Sequence, residues 1–138
     1  MTFTGGCYCA AIRYQADGPM RLAGHCFCRT CQHISGGAGN TFIVVDAAGF
    51  RYTSGTPKSF VHPDHSESPT RGFCERCGVH LTARSAKAEG VVLIKVGTLD
   101  DPSVVQRLQV VVWTSEMQPF QCVPEGVAAF PRFPEKST

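Results

Sequence analysis

No stretch of the chain stays apolar for the ~20 residues that a membrane-spanning helix needs, and little of it carries the 3.6-residue periodicity of an amphipathic helix. Charge of one sign is also scarce. Thirteen Lys and Arg face 11 Asp and Glu, a net +2, and the basic residues are scattered without interleaved aromatics. A nucleic-acid partner is therefore not expected. Met1-Thr2-Phe3-Thr4-Gly5-Gly6 lacks a basic segment followed by an apolar one, so no secretory signal is expected and a cytoplasmic location is the default. No repeat or linker divides the 138 residues, a length that suits one domain over residues 1–138 with a modest core.

Cysteine, by contrast, is abundant. The eight fall as Cys7-x-Cys9, Cys26-x-Cys28-x-x-Cys31 and Cys74-x-x-Cys77, with Cys122 alone. In a reducing cytosol, pairs at these spacings favour metal ligation over a disulfide framework.

Many short β-rich runs punctuated by Gly and Pro predict a mainly β domain with few short helical turns. Cys7 to Gln15 alternates as a strand, with Tyr8, Ala10, Ile12 and Tyr14 on one face and Cys7 and Cys9 on the other. Met20 to Cys26, Thr41 to Val45, Phe50 to Thr53, Lys58 to His62, His80 to Arg84, Val91 to Val96 and Leu108 to Trp113 read as further strands. The pair at 80–84 and 91–96 is expected to be hydrogen-bonded. Arg29 to Ile34 forms a helical turn ended by Ser35-Gly36-Gly37, and Pro63 to Pro69 a loop. Pro119, Pro124, Pro131 and Pro134 predict an extended tail over residues 120–138.

A closed structural zinc takes four ligands, commonly two pairs distant in sequence, and Cys7/Cys9 with Cys74/Cys77 supply them. Gly78 suits a tight knuckle after Cys77. The triplet Cys26, Cys28 and Cys31 has no obvious fourth thiolate. Cys122, His25 or His33 can complete it, or the fourth position is left to water or to a substrate sulfur. Three thiolates around Zn²⁺ carry a net −1 and acidify water poorly, so a thiol that binds as thiolate is the better match to an open position.

Gly5-Gly6-Cys7-Tyr8-Cys9, His25-Cys26-Phe27-Cys28-Arg29-Thr30-Cys31, Phe73-Cys74-Glu75-Arg76-Cys77-Gly78, Val96-Gly97-Thr98-Leu99-Asp100-Asp101-Pro102 and Trp113-Thr114-Ser115-Glu116-Met117-Gln118-Pro119-Phe120 follow one another in that order. Together they resemble the glutathione-dependent formaldehyde-activating enzyme family. The resemblance implies a β-tent fold, built from several small antiparallel sheets around a structural zinc. It implies two Zn²⁺ sites, a structural one on Cys7, Cys9, Cys74 and Cys77 and a catalytic one on Cys26, Cys28 and Cys31. It also implies a carbon–sulfur lyase that joins a thiol such as glutathione to an aldehyde such as formaldehyde, or cleaves the adduct. His25, Arg29 and His33 flank the triplet and are candidate catalytic residues by proximity. His62, His65 and His80 read as surface or core residues. Two positions depart from the family pattern: Val112 precedes Trp113 where similar proteins often carry a histidine, and Phe120 follows Pro119 where a tryptophan is usual. Cys122 lies outside the pattern and reads as a lone buried cysteine. The competing reading is a non-catalytic zinc-binding module for protein interaction or metal storage, which predicts a saturated second site.

Overall fold

A computed structural model describes residues 1–135 of the chain. The N-terminal part folds as strands β1 (Thr2–Gly6), β2 (Arg13–Asp17) and β3 (Leu22–Cys26), followed by the only α-helix among the described residues, α1 (Arg29–Ser35). Strands β4 (Asn40–Asp46), β5 (Phe50–Ser54), β6 (Lys58–Phe60), β7 (Thr70–Phe73), β8 (His80–Arg84), β9 (Val91–Lys95), β10 (Val110–Val112) and β11 (Ala128–Ala129) complete it, with short 3₁₀ turns between. One sheet has the order β1-β2-β5 and the other β11-β10-β3-β4-β9-β8-β7-β6. The protein is mainly β, with the few short helical turns expected.

Neighbouring strands run antiparallel except around β10, which pairs parallel with both β3 and β11. A parallel pair cannot be closed by a tight hairpin: residues 113–127 separate β10 from β11, and α1 and β4 to β9 intervene between β3 and β10. Strands β8 and β9 pair antiparallel, as expected.

Alternation divides the larger sheet into two faces. Ala23, Ile43, Val45, Leu81, Val92 and Ile94 join Phe3, Tyr14, Ala16 and Phe50 of the smaller sheet in one core. Phe42 and Val112 instead cluster with Cys26 and Cys31, flanked by Leu22, Val44, Leu93 and Trp113. Each large apolar side chain so buried contributes about 1.5–3 kcal/mol. The sheets are also tied through polar groups. The Tyr14 hydroxyl lies 2.9 Å from Thr98 Oγ1, which donates to the Lys95 carbonyl. Asp100 accepts from Thr4 Oγ1 at 2.7 Å and pairs with Arg13. Gly5 permits this approach, because a Cβ there would lie 2.3 Å from both the Tyr14 hydroxyl and the Thr98 carbonyl oxygen. The Val96-to-Pro102 motif thus serves as the buckle between the sheets.

The strand expected over Cys7 to Gln15 forms only from Arg13 on, as part of β2. β1 ends at Gly6, and the chain turns with Ala10 N–H donating to the Cys7 carbonyl at 3.1 Å and Ala10 at φ 62°. Tyr8 is 91% exposed whereas Ile12 is buried, so the four residues assigned to one face do not share it. On a strand, Cα atoms two residues apart lie about 6.6 Å apart. In the turn the Cys7 and Cys9 sulfurs come to 3.6 Å. From residue 120 to 135 the side chains are exposed or half-buried, Phe130 N–H donates to the Val111 carbonyl, and β11 adds an edge strand. Residues 136–138, the end of the expected tail, lie outside the described residues.

Ile43 is fully buried at the centre of the core. Ile43→Ala is expected to destabilise the metal-loaded protein by about 2–5 kcal/mol in urea unfolding. A cost under about 1 kcal/mol would contradict a core shared by the two sheets.

Candidate metal centres

Two hairpin turns build the first sulfur cluster. In one, Cys7 N–H donates to the Ile12 carbonyl and Ile12 N–H donates to Cys7 Sγ at 3.3 Å. In the other, Cys74 N–H donates to the Val79 carbonyl at 2.9 Å and Gly78 N–H to the Cys74 carbonyl at 2.7 Å. Each second cysteine is followed by a residue at positive φ, Ala10 at 62° and Gly78 at 77°. The turns are close counterparts and converge: the sulfurs of Cys7, Cys9, Cys74 and Cys77 all lie within 4.8 Å of one another. The measured Cys7–Cys9 and Cys9–Cys74 separations are 3.6 and 3.8 Å. A tetrahedron of bonds near ~2.3 Å has edges of roughly 3.8 Å, so these four sulfurs fit one metal ion. The Val79 backbone N–H pulls the Cys77 thiol down to about 6, favouring the ligating thiolate.

The second cluster forms where β3 runs into α1. Cys26 is the last residue of β3, Cys28 caps the helix with Sγ accepting from Cys31 N–H at 3.4 Å, and Cys31 lies in the first turn. Their sulfurs also lie within 4.8 Å of one another. Hydrogen bonds from Cys26 and Cys31 hold the Cys28 thiol down to about 2, while the same contacts push Cys26 upward. One sulfur is thus ready to ionise and its neighbours keep protons that a cation would displace. No fourth His, Cys, Asp or Glu belongs to this group among the described residues. None of the eight cysteines is in a disulfide. Cys122 is exposed rather than buried and belongs to neither cluster. Its place in the irregular tail after Phe120 keeps it out of both cores.

The flanking candidates part company. His25 precedes Cys26 on β3 and so points to the other face of the sheet. Its Nε2 donates to the Ala38 carbonyl at 3.1 Å, which leaves Nδ1 to accept from Thr41 Oγ1 at 2.7 Å. Both ring nitrogens are engaged, and burial lowers its pKa. Arg29 is exposed at the start of α1, its guanidinium bonded to Gln32 and its backbone N–H donating to Glu116 Oε2 at 2.5 Å. His33 is exposed on α1 and lines a cavity of about 560 Å³ with Arg29, Gln32, Gln118 and Phe120.

Gln32 and Glu116 were not singled out by sequence reasoning, yet they hold the triplet's helix in place. The buried Gln32 amide donates to the Phe27 carbonyl at 2.6 Å and the Glu116 carbonyl at 2.8 Å, and its oxygen accepts from Arg29 and Gln118. Trp113 begins this buttress in the left-handed region at φ 60°. Its ring packs against the triplet cluster. Lys95, at the end of β9, was missed as well. The β4–β9 register sets it opposite Phe42, on the triplet's face of the sheet. Alternation within Val91-Val92-Leu93-Ile94-Lys95 was the available signal.

Compared with known proteins, a family model described as glutathione-dependent formaldehyde-activating enzyme matches residues 2–116. That span includes all seven clustered cysteines and ends at the helix buttress. Among solved structures, the crystal structure of a Rhodobacter sphaeroides protein is similar with a TM-score of 0.61 at 15% identity, over 76% of this chain and 96% of that one. That likeness is one of fold.

Gln32→Leu keeps the volume of the side chain and deletes its hydrogen bonds. It is expected to cost about 1–3 kcal/mol in thermal unfolding and to speed amide exchange in α1 and at Thr114–Glu116. Unchanged exchange in both segments would contradict the buttress.

Proposed function

The chain belongs to the glutathione-dependent formaldehyde-activating enzyme family, and from that premise we propose that it makes and breaks one carbon–sulfur bond between a glutathione-like thiol and an aldehyde. The ion assigned to both clusters is zinc, structural on Cys7, Cys9, Cys74 and Cys77 and reactive on Cys26, Cys28 and Cys31. Thiolate donors at these sulfur spacings suit it.

The observation that carries this reading is the difference in donor number. Four convergent sulfurs fill a tetrahedron, whereas three leave one position for an exchangeable ligand. A saturated module for protein interaction or metal storage would need a fourth donor beside the triplet, and no such group lies there among the described residues. Zinc held at the triplet supplies Lewis acidity and a position at which a thiol ionises at neutral pH.

In the forward direction the thiol gives up its proton, its sulfur bonds to the carbonyl carbon, and the C=O π pair moves to oxygen. The proton is returned to that oxygen, giving a hydroxyalkyl thioether with no change of redox state. The reverse steps make the protein a carbon–sulfur lyase. Among the three flanking candidates, His33 is assigned to the proton transfer. Imidazole is the commonest general acid–base group, and the His33 ring is open to solvent. His25 and Arg29 are assigned to positioning, His25 by pinning β3 to the chain ahead of β4 and Arg29 by tying α1 to Glu116.

Cobalt substitution tests the open site. Millimolar glutathione is expected to shift the thiolate-to-cobalt charge-transfer band of the triplet while leaving the four-sulfur site unchanged; no shift would remove the enzyme reading. His33→Ala is expected to slow turnover about a hundredfold with the cobalt spectrum retained. Full activity would clear His33 of the proton step.

A further inference from the structure

On the triplet's side of the larger sheet, a cavity of about 440 Å³ is lined by Ser35, Asn40, Thr41, Val79, His80 and Lys95. We propose that it is a carboxylate-binding subsite for the thiol substrate, with the Lys95 ammonium as its charged anchor and His80 as a second contact. The proposal rests on the reading given above and extends it to the recognition of the thiol.

Lys95 is the first reason. Its side chain leaves β9 on the face that carries Cys26, Cys31 and Phe42. It makes no salt bridge among the described residues. No Asp or Glu lines the cavity. A partly desolvated cation is costly unless paired, and no carboxylate among the described residues pairs with this one.

The second reason is His80, which stacks on Phe73 with ring centroids 5.6 Å apart. Its Nδ1 is buried and has no hydrogen-bond partner among the described residues. Buried polar atoms are rarely left in that state unless a ligand or water completes them. Arg71 lies one row away on the same face and is buried, its register partner Ala83 being paired in turn with Leu93. Among the described residues its guanidinium is met only by Ser68 Oγ at 3.4 Å. The Lys95 ammonium and the Arg71 guanidinium, with no Asp or Glu among the residues lining the cavity, give this corner a positive potential.

The third reason is placement. Asn40 is the cross-strand partner of Cys26, so the cavity begins one residue from the triplet. At 440 Å³ it falls in the ordinary size range of small-molecule sites. A thiol whose sulfur reaches the triplet can therefore lay a carboxylate against Lys95. Lys95 also offsets the negative charge of a metal held by three thiolates. That role alone would make its loss a matter of metal retention, not of ligand affinity.

S-methylglutathione separates the two, since it keeps both carboxylates and has no ionisable sulfur. In isothermal titration of the zinc-loaded protein, K95M is expected to weaken its binding about tenfold or more, with K95R retaining most of the affinity. The dimethyl ester of the same compound should bind wild-type protein as weakly as the acid binds K95M, with no further loss in K95M. If K95M does not fold, the ester comparison in wild-type protein, together with K95R, decides. Equal binding of acid and ester to wild-type protein, or K95M binding like wild type with lower metal retention, would overturn the subsite. Either result leaves the cobalt response to glutathione untouched, so failure of the subsite and failure of the enzyme reading are distinguishable.

Discussion

Cys7 and Cys9 stand far from Cys74 and Cys77 in the chain, yet the four sulfurs converge within 4.8 Å. Four thiols at this separation compete for protons and keep their charges apart only poorly. One divalent cation removes both difficulties. The convergence also links the first hairpin, in the smaller sheet, to the β7–β8 hairpin in the larger one. A protein of this size has a modest core, and the cross-link lies beside it: Cys7 and Cys74 pack within the main cluster, next to Ile12 and Leu81. The four-sulfur cluster and the hydrophobic core join the same two sheets.

The second sulfur group answers to a different constraint. It is built on one face of the larger sheet, away from the main core, and kept there by a seven-residue helix. Such a helix has little stability of its own. Its position depends on Gln32, the carbonyls of Phe27 and Glu116, and the Glu116 carboxylate. This explains why a segment around Trp113 to Glu116, distant in sequence from all seven clustered cysteines, lies within the span that matches the family. Lys95 approaches the same face from β9, bringing positive charge to a site made of thiols.

The two cysteine clusters were readable because C-x-x-C-G, C-x-C and C-x-C-x-x-C are spacings at which thiols converge in a fold. Most strands were readable from β-branched runs such as Thr41 to Val45. Other features were hidden. The alternation of Tyr8, Ala10, Ile12 and Tyr14 favoured a strand, but convergence on the distant knuckle demanded a turn, and tertiary geometry prevailed over local pattern. His25 was grouped with the triplet because it is adjacent in sequence, although on a strand adjacent residues face opposite ways. Cys122 carried no signal of its exposure. Gln32 and His80 owe their interest to fully engaged or unpaired polar atoms inside the fold, which no spacing reveals.

The division of seven sulfurs into a closed set of four and an open set of three is the central claim. Metal-edge X-ray absorption on the zinc-loaded protein, with metal content measured on the same sample, tests it most directly. The account predicts two ions per chain and an average between three and four sulfur neighbours at about 2.3 Å, the remainder being a lighter atom that glutathione replaces with sulfur. A full complement of four sulfurs at both ions before any thiol is added, or a single ion per chain, would contradict it.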